Sequence, residues 1–150
     1  FGAVAPRYDL LNRVLSGWLD VVWRRAAAAA LALDVPAPVL DLCCGTGDQA
    51  LALRARGARV VAADFCVPML ALAETKYERL PDRRPSGLAG DALELPFADE
   101  LFGAATVSFG LRNVADLDAA LREIRRVLQP RGEVAFLEFT VPRTWILRAP

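Results

Sequence analysis

Asp41, Asp48, Asp64 and Asp91 are spaced so that they could act on one ligand, and the first two flank a glycine turn, Gly45-Thr46-Gly47. The run from Val39 to Asp48 reads as a strand that enters this turn and leaves it as a helix, a connection that brings bare backbone close to whatever binds there. Gly45-Thr46-Gly47-Asp48-Gln49-Ala50 matches the dinucleotide pattern G-x-G-x-x-G/A, and Asp64 follows at the spacing of an acid that meets a ribose, which leaves a nicotinamide cofactor open. The charges argue against it. Asp41 ends the strand and Asp48 opens the helix where a pyrophosphate would sit; at ~4 Å and an effective dielectric near ~20, one like-charge contact costs about 4 kcal/mol before screening. A ligand without phosphate and with a cationic end suits the turn better. S-adenosyl-L-methionine has that form: its sulfonium and amino group are cationic, its carboxylate can meet the amides of Gly45, Thr46 and Gly47, and its ribose diol can take a bidentate bond from Asp64. The plainer alternatives are that Asp48 is only a helix N-terminal charge and that Asp64 caps a turn. Asp91, in Gly90-Asp91-Ala92, can accept from an adenine amino group with the Ala92 amide facing the ring, or can be a turn residue.

These positions need a scaffold, and short apolar runs alternating with helical patterns supply one: an α/β chain with a parallel sheet and crossover helices. Strands are expected over Val39–Cys43, Arg59–Ala63, Gly87–Ala89, Ala104–Phe109 and Glu133–Phe139, covered on both faces. Helices are expected over Asp48–Arg56, Val67–Arg79 and Asp116–Leu128. The last carries an apolar stripe of Leu117, Ala120, Leu121, Ile124, Val127 and Leu128, and Pro130 with Gly132 turns the chain into the next strand. Tyr8–Ser16 and Trp18–Leu33 read as two helices parted at Gly17. The 150 residues thus form one domain, with a helical segment over 1–33 and a cofactor-binding sheet over 39–139. The first residue is Phe1 and the last are Arg148-Ala149-Pro150, so the expectation is a domain incomplete at the C-terminus and trimmed at both ends.

Composition removes whole reaction classes. There is no histidine, hence no Ser-His-Asp or Cys-His nucleophile system and no imidazole ligand for a catalytic zinc; no metal site is expected. Eighteen basic residues balance 18 acidic ones, which gives no uniform basic surface for nucleic acid. Cys43, Cys44 and Cys66 have neither CxxC spacing nor the density of a disulfide scaffold, so core packing and a reduced, cytoplasmic setting are expected. No stretch reads as a membrane span.

At Val107-Ser108-Phe109-Gly110-Leu111-Arg112-Asn113-Val114 the chain becomes specific. With Tyr8-Asp9, Asn12, Asp41-Leu42-Cys43-Cys44-Gly45-Thr46-Gly47-Asp48, Leu95-Pro96-Phe97 and Val127-Leu128-Gln129-Pro130, it resembles the C-methyltransferases of menaquinone and ubiquinone biosynthesis along its whole length. The resemblance implies a Rossmann-like class I methyltransferase sheet, here without its last two strands. It also implies methyl transfer from S-adenosyl-L-methionine to a ring carbon of a polyprenylated quinol. Cofactor positions carry over onto Thr46, Asp64, Asp91, Ala92 and Ser108. Family members commonly have Ala-Gly-Gly where this chain has Cys43-Cys44-Gly45, and aspartate where it has Gly103; the paired cysteines look more like the menaquinone branch. Arg112 is the candidate cation to favour the quinolate, and Asn113 the candidate to orient the acceptor or a water that takes the ring proton; capping of the helix near Asp116 is the structural alternative. Trp18, Leu19, Val22 and Trp23, followed by Arg24 and Arg25, can form a face for peripheral membrane contact or pack on the sheet. A homo-oligomer is compatible with the resemblance.

Overall fold

The computed structural model describes residues 5–33 and 36–139. The expected domain's first residues, 1–4, and its last, 140–150, lie outside them. A parallel sheet of order β3-β2-β1-β4-β5 is built from β1 (Val39–Leu42), β2 (Val60–Asp64), β3 (Ser86–Ala89), β4 (Phe102–Ser108) and β5 (Leu128–Leu137). The helices are α1 (Ala5–Ser16), α2 (Leu19–Ala29), α3 (Asp48–Ala55), α4 (Val67–Tyr77) and α5 (Leu117–Val127).

Strand alternation sorts the side chains into two cores. On one face Val39, Val60, Ala62 and Ala104 pack with Ala28 of α2, Leu53 of α3, and Leu70 and Ala73 of α4. On the other, Leu40, Leu42, Ala63, Ala105 and Val107 pack with Ala120, Ile124 and Val127 of α5. Helices therefore cover both faces, as a parallel sheet requires, and β1 and β4 are buried along their whole length. The outer strands correct the expectation of full coverage: β3 is exposed throughout, and Val134 and Phe136 of β5 are exposed as well.

Three local findings refine the sequence reading. The last strand begins at Leu128, directly after α5, because Leu128 pairs with Phe102 and Glu133 with Ala104, and the intervening residues form an irregularity in the ladder. Arg131, not Gly132, takes the left-handed backbone there (φ 66°). Gly132 is needed for space: a Cβ would lie 3.0 Å from the Gln129 carbonyl oxygen and 3.2 Å from that of Gly103. Second, α5 buries Ala120, Ile124 and Val127, but Leu117 and Leu121 of the expected stripe are exposed. Third, Asp116 is the N-cap of α5, its carboxylate accepting from the Ala119 amide at 2.9 Å.

The Leu95-Pro96-Phe97 segment is held by α5 through charge. Arg126 donates to the Leu95 and Phe97 carbonyls at 2.9 and 2.8 Å, and Glu123 accepts from the Leu95 amide at 2.7 Å. This fixes the loop after β3 against the last turns of α5.

Candidate functional site

The parallel register brings the C-terminal ends of the strands together. Leu42 lies beside Ala63 and Val107, Asp64 beside Ala89, and Ser108 beside Leu137. A cavity of about 250 Å³ opens along this edge, where ligands of open α/β sheets bind. Gly45, Asp64, Asp91, Ala92, Ser108 and Asn113, all singled out in the sequence, line it. Asp41, Thr46, Gly47 and Arg112 do not, and each has a different place.

Asp64 ends β2 and organises two turns at once: one carboxylate oxygen accepts from the Gly45 amide at 2.7 Å, the other from the Cys66 amide at 2.8 Å. Asp64 also lines the cavity, and each of its oxygens has a second lone pair. Asp91 is exposed and bonds its own turn, accepting from the Leu93 amide at 2.9 Å. Ser108 is buried, and its hydroxyl has no partner among the described residues. A cavity-lining hydroxyl in that state is a vacant hydrogen-bonding position facing the ligand space.

Beneath the turn, Asp41 is wholly buried. Its Oδ1 accepts from the Thr106 hydroxyl at 2.9 Å while Oδ2 has no partner. Burial, opposed by the Thr106 bond and by Arg24, raises its pKa from 3.8 to about 7. Gly47 takes φ 83° as the N-cap of α3, and a Cβ there would run into the Tyr77 phenol; only glycine fits on both counts. Thr46 is buried and donates its hydroxyl to Asp9 of α1.

Asp48 requires a correction. It was expected to stand free and repel phosphate, but Arg13 of α1 and Lys76 of α4 pair with it at 3.0 and 2.6 Å. Burial opposes its ionisation, yet Lys76 and Arg13 outweigh burial and hold the carboxyl below its usual range. Lys76 also bridges to Asp9 at 2.6 Å, so α1 is tied to the glycine turn through alternating charges. The turn is therefore not the doubly negative site that the sequence implied.

Arg112 and Asn113 occupy a short 3-10 turn, Leu111–Asn113, after β4. The Arg112 side chain is half-exposed, 3.4 Å from Glu138, and its guanidinium lies 5.9 and 5.4 Å from the ring centroids of Phe109 and Phe139. Trp23 of α2 packs edge-on against the same two rings. The expected interfacial face is thus divided: Trp18, Leu19 and Val22 are exposed, whereas Trp23 belongs to this aromatic cluster at the cavity rim.

Cys44 is buried, as core packing predicts, but Cys43 lines the cavity with a left-handed backbone, φ 55°. Burial, with Asp64 and Asp41 nearby, pushes the Cys43 thiol up to about 12, which keeps it protonated and a poor nucleophile at neutral pH. The cavity wall also includes Phe65, Met69 and Phe109, which the sequence reading passed over. A usable signal existed for Phe65, a large apolar residue directly after a strand-end acid. Phe109 sits at φ 58°, strain that its place between Ser108 and Gly110 alone does not reveal.

The sequence matches the ubiE/COQ5 methyltransferase family over residues 1–150. Over 95% of the chain it is 51% identical to a demethylmenaquinone methyltransferase of Thermus thermophilus and 49% identical to one of Mycobacterium marinum. It spans 65% and 58% of the lengths of these relatives. The fold matches the crystal structure of a SAM-dependent methyltransferase from Aquifex aeolicus with a TM-score of 0.71 at 19% identity, over 81% of this chain and 66% of that one. The five-stranded parallel sheet is thus that of the class I methyltransferase fold, and the chain belongs to the ubiE/COQ5 methyltransferase family.

Proposed function

We propose that this chain carries the cofactor site and part of the acceptor site of a demethylmenaquinone methyltransferase, which moves a methyl group from S-adenosyl-L-methionine to a ring carbon of a polyprenylated quinol. The observation that carries the reading is the joining of Asp64, Asp91, Ala92 and Ser108 around one cavity with Asn113 on its wall, in a chain about half identical to demethylmenaquinone methyltransferases. The donor set fits the cofactor: a strand-end carboxylate for a diol, a second carboxylate with a backbone amide for an adenine edge, and an unpartnered hydroxyl. When bound, the cofactor supplies an electrophilic methyl on a sulfonium.

The chain's own part is electrostatic and positional. A quinol hydroxyl has a pKa near that of tyrosine, ~10, so a cation beside it favours the electron-rich quinolate. Arg112 is that cation in this reading; its guanidinium is partly exposed and rests on aromatic faces that hold it at the rim. Asn113 offers an amide to orient the ring or a water that removes its proton. Phe65, Met69 and Phe109 give the cavity apolar walls.

A prenyl tail partitions into lipid, and the α1–α2 hairpin presents a counterpart. Leu15 is 83% exposed, Trp18 62% and Val22 57%, close to Arg25. This supports collection of the acceptor at a membrane surface. No helix among the described residues is long and apolar enough to cross a membrane. The function is tested by assaying methyl transfer to demethylmenaquinol and to a polyprenyl benzoquinol side by side with the full-length protein; turnover confined to the benzoquinol moves the assignment to the ubiquinone branch, and turnover of neither removes it.

A further inference from the structure

Glu138 follows β5 directly, one residue beyond Leu137, which pairs with Ser108. The backbone here is tied to the end of β4, since the Phe109 amide donates to the Leu137 carbonyl at 2.7 Å. The two oxygens of the Glu138 carboxylate have different surroundings. Oε1 lies 3.4 Å from a guanidinium nitrogen of Arg112 and accepts from the Phe139 amide at 3.3 Å, whereas Oε2 is buried and has no partner among the described residues. The Glu138 side chain is 24% exposed and that of Arg112 49%, so the cation of the pair remains in contact with water. Such a pair adds little to stability, and its unpartnered buried oxygen opposes folding.

What the pair does fix is direction. The Arg112 guanidinium lies 5.9 and 5.4 Å from the ring centroids of Phe109 and Phe139, rings that pack 4.8 Å apart with Trp23 edge-on against both. Aromatic faces attract a guanidinium but leave it able to slide and turn across them; a carboxylate on one nitrogen removes that freedom. The remaining N–H groups are then available to an incoming oxyanion. Phe109, Gly110 and Asn113 line the cavity, which puts the anchored cation at its rim, while Glu138 itself is not among the lining residues. Extending the reading of Arg112 as the cation that favours the quinolate, on which this rests, we infer that Glu138 is a positioning residue for methyl transfer, anchoring the Arg112 guanidinium on the Phe109–Phe139 rings so that its other edge meets the acceptor oxygen. The Glu138 charge offsets part of the Arg112 charge, so the gain is geometric. Geometry is the larger effect, because a misplacement of ~1 Å can cost about a hundredfold in rate.

The test is a double-mutant cycle on the full-length protein, with demethylmenaquinol as acceptor and calorimetric binding of S-adenosylhomocysteine as the measure of an intact fold. Glu138→Gln should lower kcat by about tenfold and leave S-adenosylhomocysteine affinity within about twofold; in the Arg112→Gln background the same change should lower kcat by less than about twofold, because the group it positions is gone. Glu138→Asp, which keeps the charge and shortens the reach, should fall between wild type and Glu138→Gln, and it carries the cycle if Glu138→Gln does not fold. Losses that multiply in the double variant show that Glu138 acts independently of Arg112 and overturn the proposal, as does unchanged turnover of Glu138→Gln. Weakened S-adenosylhomocysteine binding in both Glu138 variants reduces the residue to a structural role and also overturns it. Unchanged turnover of Arg112→Gln overturns the reading of Arg112, and the proposal with it; loss in Arg112→Gln without loss in Glu138→Gln overturns the proposal alone.

Discussion

Replacing Asp41 with asparagine should shift relative stability in favour of the variant as the pH rises. The Asp41 carboxyl is fully buried, has one hydrogen bond from Thr106, and has a pKa raised by burial from 3.8 to about 7. A raised folded-state pKa means that the native chain holds this proton more tightly than the unfolded chain does. Its contribution is therefore complete below about pH 4 and is lost as the pH climbs toward about 7. The interval corresponds to roughly 4 kcal/mol, at about 1.4 kcal/mol for each tenfold change in proton affinity. Asparagine keeps the size and the acceptor for Thr106 and cannot ionise. Urea denaturation of Asp41→Asn and wild type from about pH 4 to about pH 8 should show a gap that moves in favour of the variant by roughly 2 to 4 kcal/mol across that range. Any fixed cost of the added amide is the same at every pH and drops out of the comparison. Asp48, held below its usual pKa by Lys76 and Arg13, has the opposite sign and loses its contribution only as the pH falls below about 4, outside the window. A gap independent of pH, or one that moves toward wild type, would show that Asp41 is ionised and compensated in the native state.

Arg112→Gln keeps most of the side chain and removes its charge; methyl transfer should fall by an order of magnitude or more while calorimetric cofactor affinity changes by less than about twofold. Asp116→Ala removes the bond to the Ala119 amide and should cost about 1 kcal/mol in urea denaturation, with no change in cofactor binding. Leu15→Ser combined with Trp18→Ser should reduce sedimentation with anionic vesicles severalfold and leave the unfolding midpoint unchanged, since both side chains are exposed.

The sequence discloses most where local chemistry and tertiary structure agree. β1, the glycine turn and α3 are read from ten residues because the turn needs glycine at Gly47 both for its φ of 83° and for the space beside Tyr77. The cavity-lining acids follow from the same logic, since strand ends in a parallel sheet converge. What is hidden depends on distant partners. Nothing near Asp48 in the chain announces Arg13 or Lys76, so a paired carboxylate reads as a free one. The exposure of Leu117 and Leu121 is equally invisible, because the periodicity of α5 records an apolar stripe and not which of its residues the fold covers. In the same way, Trp23 is indistinguishable from Trp18 by type and position, yet one packs on Phe109 and Phe139 while the other faces outward.

Depth within the fold gives three identical side chains three different chemistries. Asp41 is at the bottom, where low dielectric and a single donor favour the neutral acid. Asp64 is one layer up, where two backbone amides at 2.7 and 2.8 Å stabilise the carboxylate and fix its plane before any ligand arrives. Asp91 is at the surface, its backbone fixed by its own turn and its side chain in contact with water. Of the three, only Asp64 and Asp91 line the cavity, so a ligand there meets one carboxylate held rigid by backbone amides and one open to solvent, while Asp41 lies beneath the turn.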